Sequence, residues 1–577
     1  MMLWRLLPLL LVAGVRAGGL QGEGSGAEGR EIEKILKAIL EKGVLDRVYP
    51  GAVALIGDSQ GVLFQAAVGR HSYDIEDTHI SADTIFDLAS LTKVVSTTTA
   101  VELLVQAGVL TLDTLVASVL GKEFEQGGKG GMTVEQCLLH TAGFNPDPVP
   151  WYWDPTFGCP NTDTPLPQQD FSCLNLVWGS LMAESVNPGQ YVYSDLSFIT
   201  LQMVVGTRVL QRSLVPLSEV QACDGIPRIG PEFPGSPVSP QGASKGHKGT
   251  LDQNDQNPND QPKEPSPEDT WDPSQAPDQR PLDQHPQEMY PPSAVVCAFE
   301  ALMRREVFRR PAPTGTAGTA TAGVGVGEQD KGEQGVVGEQ GAWMPNTGYL
   351  PPPSAWLLCA PTLNDTGVSS YTHRRLQGQV ADGDCYAMGG IGGHAGVFST
   401  IGDLGIFAQF MMQQRMNADM GIDMELVGGP SSHLQASAPT PTTPTTPTTP
   451  FQMDPAPPHS NLPDSLFPDF LLPSTVKLFT TVHNSSQSSR ALGWSTNSPL
   501  APDYGYDHSC GAMSVDTFMH TGYTGTCICI DPRGLYTVIL TNRVYNCQGQ
   551  LCDAGSSDAV KQIYRTFNTA AVRMFGR

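Results

Sequence analysis

The sequence predicts an α+β fold: an antiparallel sheet built from both ends of the chain, flanked by helices, with a helical subdomain between them. Near the N-terminus, "AVALIGDSQGVLFQAAVG" sets two apolar runs around the polar turn Asp58-Ser59-Gln60-Gly61, the pattern of a hairpin. Near the C-terminus, "GTCICIDPRGLYTVILTNRV" repeats that arrangement around Asp531-Pro532-Arg533-Gly534. The apolar segments between these ends carry helical signals.

The elements follow in order. Ser90 to Gln106 reads as a helix closed by Gly108. Cys137, inside "TVEQCLLH", is expected as a small buried hydrophobe. "SAVVCAFEALMRREVF", from Ser293, reads as an amphipathic helix, and "STVK", Ser474 to Lys477, as a helix start with Ser474 as its N-cap. A terminal helix is expected near Asp558.

Of 577 residues, 40% are hydrophobic, enough for a large core, while 48 Pro and 61 Gly imply long stretches outside it. Three tracts fall outside on composition. Residues 223–290 are Pro/Gln/Asp-rich, with ten acidic against two basic side chains over 251–290. Residues 311–342 are Gly/Thr/Ala-rich with loose GEQ repeats, and 428–472 contain "PTPTTPTTPTTP". Such segments bury too little apolar surface to offset the entropy of ordering, so they are expected to be disordered insertions in one domain spanning 31–577.

The net charge of −24 argues against nucleic acid or an anionic membrane as partner, since both need basic surface. "MMLWRLLPLLLVAGVRAGG" has an early arginine, an apolar run from Leu6 to Val15 and a small Ala17, the pattern of a secretory signal over 1–17. The run is short for a membrane span. An uncleaved signal would be the sole membrane element, and a secreted, extracellular location is expected. Export permits disulfides among the twelve cysteines. Cys547 and Cys552 are close enough to pair, and Cys527 and Cys529 share a strand face. No spacing matches a zinc site, so no metal or other cofactor is implied.

The chemistry centres on "DTIFDLASLTKVV", where Ser90 and Lys93 stand three residues apart and share a helix face. An amine pressed among apolar neighbours loses solvation, its pKa falls, and it becomes able to take a proton from serine. At a helix head, free N–H groups would also favour an oxyanion; on these residues alone the equal alternative is that Ser90 caps the helix and Lys93 snorkels to solvent. Other matches are weaker. "GASKG" at Gly242 to Gly246 fits a nucleophile elbow but lies in a polar tract without the strand-turn-helix setting that motif needs. Further on stand Tyr193-Ser194-Asp195, after a Pro-Gly turn, and His520-Thr521-Gly522 on or beside a strand.

In this order, "TIFDLASLTKV", "LLHTAGF", "PGQYVYSDLSFITL", "GGIGGHAGVFST" and "HTGYTGT" resemble the penicillin-binding-protein/β-lactamase superfamily of serine hydrolases, in its class C-like, esterase and D,D-peptidase branch. The resemblance implies a β-lactamase/transpeptidase-like fold. It makes Ser90 the acylated nucleophile, Lys93 its proton partner and Tyr193 the second acid/base, with the amides of Ser90 and Tyr523 as an oxyanion hole. Asp195 and the His520, Thr521, Gly522, Tyr523 run would support the site and bind substrate. Asp195 stands where Asn is common, and its charge would hold Lys93 protonated and shift basic work to Tyr193. His520 stands where β-lactamases carry lysine. A histidine is mostly neutral at pH 7, which predicts weaker selection for carboxylate-bearing substrates. His394, in the glycine-rich segment, is expected to be structural.

These readings predict a secreted serine hydrolase acting through a Ser90 acyl-enzyme on a small-molecule or peptide acyl substrate, an ester, amide or peptide. The competing reading is a catalytically inactive binding or scaffold protein on the same fold.

Overall fold

Alternating side chains along the β runs sort apolar residues onto two faces, and both faces are covered. The structure, a computed structural model, describes residues 25–159, 171, 173–221, 223, 290–310, 342–364, 375–422, 467, 470–498, 508–545 and 557–576. The 1–17 leader, the Cys547/Cys552 pairing and nearly all of the three compositional tracts lie outside these residues.

The N-terminal hairpin forms β1 (Gly51–Asp58) and β2 (Gly61–Gly69). Short pieces follow as β3 (Phe86–Asp87), β4 (Gly348–Tyr349), β5 (Leu363–Asn364), β6 (Arg375–Leu376), β7 (Val397–Ser399) and β8 (Ser495–Thr496). The C-terminal run forms β9 (Phe518–Gly522), β10 (Thr526–Asp531) and β11 (Leu535–Thr541). The main sheet has six strands in the order β2-β1-β11-β10-β9-β8. The two ends of the chain meet at the antiparallel β1–β11 pair, with Val53 opposite Leu540 and Leu55 opposite Val538. This is the predicted α+β fold with its sheet drawn from both ends.

On one face Val53, Leu55, Phe518, Ile528, Val538 and Leu540 join the helical body in a large core. On the other, Ala52, Ala54, Ile56, Met519 and Ile539 pack against the helices Ser25–Leu45 and Ser557–Phe575. Burying one such side chain fully contributes about 1.5–3 kcal/mol, so a sheet covered on both sides is a rigid platform for β9. Disulfides join Cys159–Cys173, Cys223–Cys297 and Cys510–Cys529. Cys137 is fully buried.

Four expectations change. The Ser90 helix is not regular: a 3-10 turn over Ala89–Leu91 leads into a π-helical stretch Lys93–Thr98, and α geometry begins only at Thr99–Gln106. Stretches of this kind recur at functional sites, where they re-aim side chains. The segment from Ser293 forms the helix Pro292–Met303, but Val295 to Met303 are all buried. It is a core helix packed on Asp195–Gln211, where Gly206 lets the backbone of Val295 approach. Ser474 lies inside the first turn of Pro473–Thr480, whose N-cap is Leu472, and Lys477 pairs with Asp419 at 3.1 Å. Finally, Phe467, Phe470 and Leu471, which fall within the bounds expected for the third tract, are core residues.

Candidate active site

The turn carrying Ser90 is held in an unfavourable backbone shape. Ala89 has φ +45°, a left-handed conformation that costs a non-glycine residue of order 1 kcal/mol or more. The Asp87 carboxylate holds it there, accepting the Ala89 N–H at 2.9 Å and the Ala381 N–H at 2.7 Å. Burial pushes the Asp87 carboxyl up to about 6. From the far side β9 and its turn are stitched on: Thr524 Oγ1 donates to Asp87 O at 2.7 Å and Thr526 Oγ1 to Leu88 O at 2.9 Å. A Cβ on Gly522 would lie 2.4 Å from Leu88 O, so only glycine permits this approach. The contact brings the backbone of Gly522-Tyr523 alongside Ala89-Ser90.

Lys93 is fully buried. Its ammonium lies 2.7 Å from Asp195 Oδ1, donates to Ser90 Oγ at 3.0 Å and to the His394 carbonyl at 3.2 Å. Burial alone would pull the amine down, as its apolar setting predicts. The Asp195 carboxylate, with Tyr193 in hydrogen-bonding reach, outweighs burial and holds Lys93 above the ordinary lysine range. The lowered lysine pKa expected from apolar neighbours is thus replaced by a raised one, which favours an ammonium that donates to Ser90.

The Tyr193 loop is fixed from three directions. Ser194 N–H donates to His140 Nδ1 at 3.0 Å, Ser194 Oγ to Asn145 O at 2.6 Å, and Asp195 N–H to Pro146 O at 2.8 Å. The His140 ring lies 4.5 Å from the Tyr193 ring, and the Lys93 ammonium 4.8 Å from that ring's centroid. Arg490, just before β8, stacks its guanidinium 5.2 Å from the Tyr193 ring centroid and donates from Nε to Tyr191 Oη at 3.2 Å.

His520 faces the same group, its ring 6.2 Å from Tyr193. It is buried, and burial, then the charges of Arg490 and Lys93, drive it well below the ordinary histidine range. His520 is neutral, as its residue type predicted. Its Nδ1 lies 2.8 Å from Thr521 O, which assigns the proton there. Tyr523 projects outward, with the Arg543 guanidinium 4.8 Å from its ring centroid.

The glycine-rich segment forms the floor. Gly393 N–H donates to Gln202 Oε1 at 2.9 Å, and a Cβ there would sit 2.3 Å from Phe198 O. His394 is buried, and its Nε2 donates to Asp382 Oδ1 at 3.0 Å. Burial opposes the charged ring, but the Asp382 carboxylate prevails and holds His394 above its usual range. Donor atoms of Asp195, Asp382 and His394 lie within 4.8 Å of one another, a grouping that could hold a metal ion. Here both carboxylates already face cations, Lys93 and His394.

Sequence reasoning missed four contributors: Asp87, His140, Asp382 and Arg490. His140 has φ +56°, which brings its ring back onto the tyrosine loop, and nothing in "LLHTAGF" marks that turn. Asp382 and Arg490 lie far from Lys93 in sequence, in segments without a distinctive pattern. Asp87 was quoted within "TIFDLASLTKV", but its carboxylate serves backbone amides, a role no spacing signals.

The beta-lactamase family model matches residues 32–214, the segment that contains Ser90, Lys93, Tyr193 and Asp195. Over that segment, under a third of the chain, the sequence is similar to the beta-lactamase family. A curated protein named "Putative D-alanyl-D-alanine carboxypeptidase" from Escherichia coli (strain K12) is 27% identical over 168 residues, covering 29% of this chain and 26% of the relative. One of the same name from Salmonella enteritidis PT4 is 29% identical over 175 residues, covering 30% and 28%. The chain thus spans little more than a quarter of the length of these relatives. Among solved structures, a penicillin-binding-protein homologue from Caulobacter crescentus aligns with TM-score 0.45 and 14% identity, covering 96% of this chain and 99% of that one. A class C beta lactamase from Rhodobacter sphaeroides aligns with TM-score 0.43 and 13% identity, covering 92% and 97%.

Proposed function

We propose that the chain is a serine hydrolase that forms an acyl-enzyme on Ser90 and releases it to water. One observation carries the reading: the Ser90 hydroxyl receives a hydrogen bond at 3.0 Å from a fully buried ammonium whose charge is balanced by Asp195, with Tyr193 against that ammonium. Lys93 orients Ser90 Oγ. As Oγ bonds to the substrate carbonyl carbon, the Ser90 proton passes to the Tyr193 oxygen while the Tyr193 O–H proton passes to the leaving group, whose bond to that carbon then breaks. Water repeats the sequence in the second half-reaction. The Ser90 and Tyr523 amides, brought together at Gly522, would hold the oxyanion, a contribution of about 10²–10³ in rate per donor in comparable sites.

The substrate class is an ester, amide or peptide. A neutral His520 offers no permanent cation to a substrate carboxylate, which favours neutral acyl donors. The leader-like N-terminus and the disulfides support export to an extracellular site. The experiment is turnover of p-nitrophenyl esters, D-amino-acid peptides and a chromogenic cephalosporin by wild type and Ser90→Ala. Turnover of the esters above the cephalosporin, lost in the variant, is expected. Wild-type rates in Ser90→Ala would refute the reading.

A further inference from the structure

The charges around Ser90 balance in pairs, with one left over. Lys93 faces Asp195 at 2.7 Å and His394 faces Asp382 at 3.0 Å. His140 and His520 are both driven below the histidine range by burial first, and then by the charge of Arg490. Arg490 itself has no carboxylate in reach among the described residues. It is 5% exposed, and among the described residues its buried Nη1 meets no hydrogen-bond partner and its side chain bonds to Tyr191 alone. Its guanidinium lies 5.6 Å from the Tyr191 ring centroid and 5.2 Å from that of Tyr193.

A buried cation without a counter-ion is expensive to keep. Two tyrosine ring faces return part of that cost through cation–π attraction. The hydrolase reading supplies the rest of the explanation. In the relay Tyr193 releases its own O–H proton as it takes that of Ser90, so negative charge falls on the phenol oxygen wherever release runs ahead, and the Arg490 guanidinium, 5.2 Å from the ring centroid, is a positive charge with no carboxylate against it among the described residues. Lys93 cannot serve fully, because Asp195 cancels its charge at close range.

We propose that Arg490 is a positioning residue for the reaction: it fixes the Tyr191–Tyr193 loop and stabilises the negative charge that passes over Tyr193 during acylation. The inference rests on the hydrolase reading. It assigns Arg490 no contact with substrate, and so separates it from a carboxylate-binding arginine.

The test compares Arg490→Lys, which keeps the charge, Arg490→Gln, which keeps a donor for Tyr191, and Tyr191→Phe, which removes only that acceptor. Substrates are a neutral p-nitrophenyl ester and a depsipeptide with a free carboxylate; thermal melting is recorded alongside. Arg490→Gln is expected to lower kcat about a hundredfold on both substrates, with KM within about twofold. Arg490→Lys is expected to regain most of the loss, and Tyr191→Phe to lose less than about fivefold. The proposal is overturned if Arg490→Gln keeps wild-type kcat, if its loss is confined to the carboxylate substrate or to KM, or if Lys and Gln variants fail equally with equal loss of melting temperature. A wild-type chain without turnover removes the hydrolase reading and this inference together; an active wild type with an unaffected Arg490→Gln removes the inference alone.

Discussion

Ser90→Ala, Lys93→Met and Tyr193→Phe are each expected to lower kcat on an activated ester by about 10⁴-fold, and the double and triple variants to fall little further. The reason is that no member works without the others. Lys93 donates to Ser90 Oγ at 3.0 Å and stands within hydrogen-bonding reach of Tyr193, and the proton that Tyr193 takes up in the relay comes from that hydroxyl. Independent contributions would multiply, giving losses near 10⁸-fold for a pair. Rates of the singles and of Lys93→Met/Tyr193→Phe decide between these outcomes. Multiplicative losses would show that the lysine and the tyrosine act in separate steps.

Much of this unit was legible before any coordinates. Ser90, Lys93, Tyr193, Asp195 and His520 sit in short motifs whose order along the chain marks them, and the hairpins at Asp58–Gly61 and Asp531–Gly534 fix the sheet that positions His520. The charge state of Lys93 was less legible. Its apolar neighbours argued for a lowered pKa and Asp195 for a raised one, and only the 2.7 Å separation decides that the carboxylate wins. Irregular backbone was also hidden. The φ of +45° at Ala89 and the π stretch from Lys93 lie where Thr524 and Thr526, in the turn after β9 and at the start of β10, bond to Asp87 and Leu88, contacts made across more than four hundred residues. Tertiary context overrides the helical pattern there. Arg490 and Asp382 escaped for a related reason, since each acts through a partner that its own segment does not announce.

Asp195→Ala is expected to destabilise the protein by about 3 kcal/mol, because it leaves the fully buried Lys93 ammonium without its carboxylate. The remaining partners are uncharged: Ser90 Oγ at 3.0 Å and the His394 carbonyl at 3.2 Å. Asp195→Asn keeps an acceptor and should lose less. The pH dependence follows from the direction of the Lys93 shift. Its folded pKa lies above the unfolded value, so the proton-linked stability is fully present below the unfolded lysine range and is lost only as pH rises through the folded pKa. The gap between wild type and Asp195→Ala should therefore hold from pH 5 to 9 and close in strong alkali. Denaturant midpoints across that range measure it. A gap that vanished at pH 7 would mean that Lys93 is neutral there.

The central claim is that the hydroxyl at position 90 is a working nucleophile, and covalent capture tests it most directly. Wild-type protein is treated with a fluorophosphonate, weighed intact by mass spectrometry, digested and mapped. The expected result is one adduct, placed on Ser90, absent from Ser90→Ala and slowed strongly in Lys93→Met. An unmodified wild-type protein, or an adduct that persists when Ser90 is alanine, would contradict the account and leave the inactive binding protein as the better description.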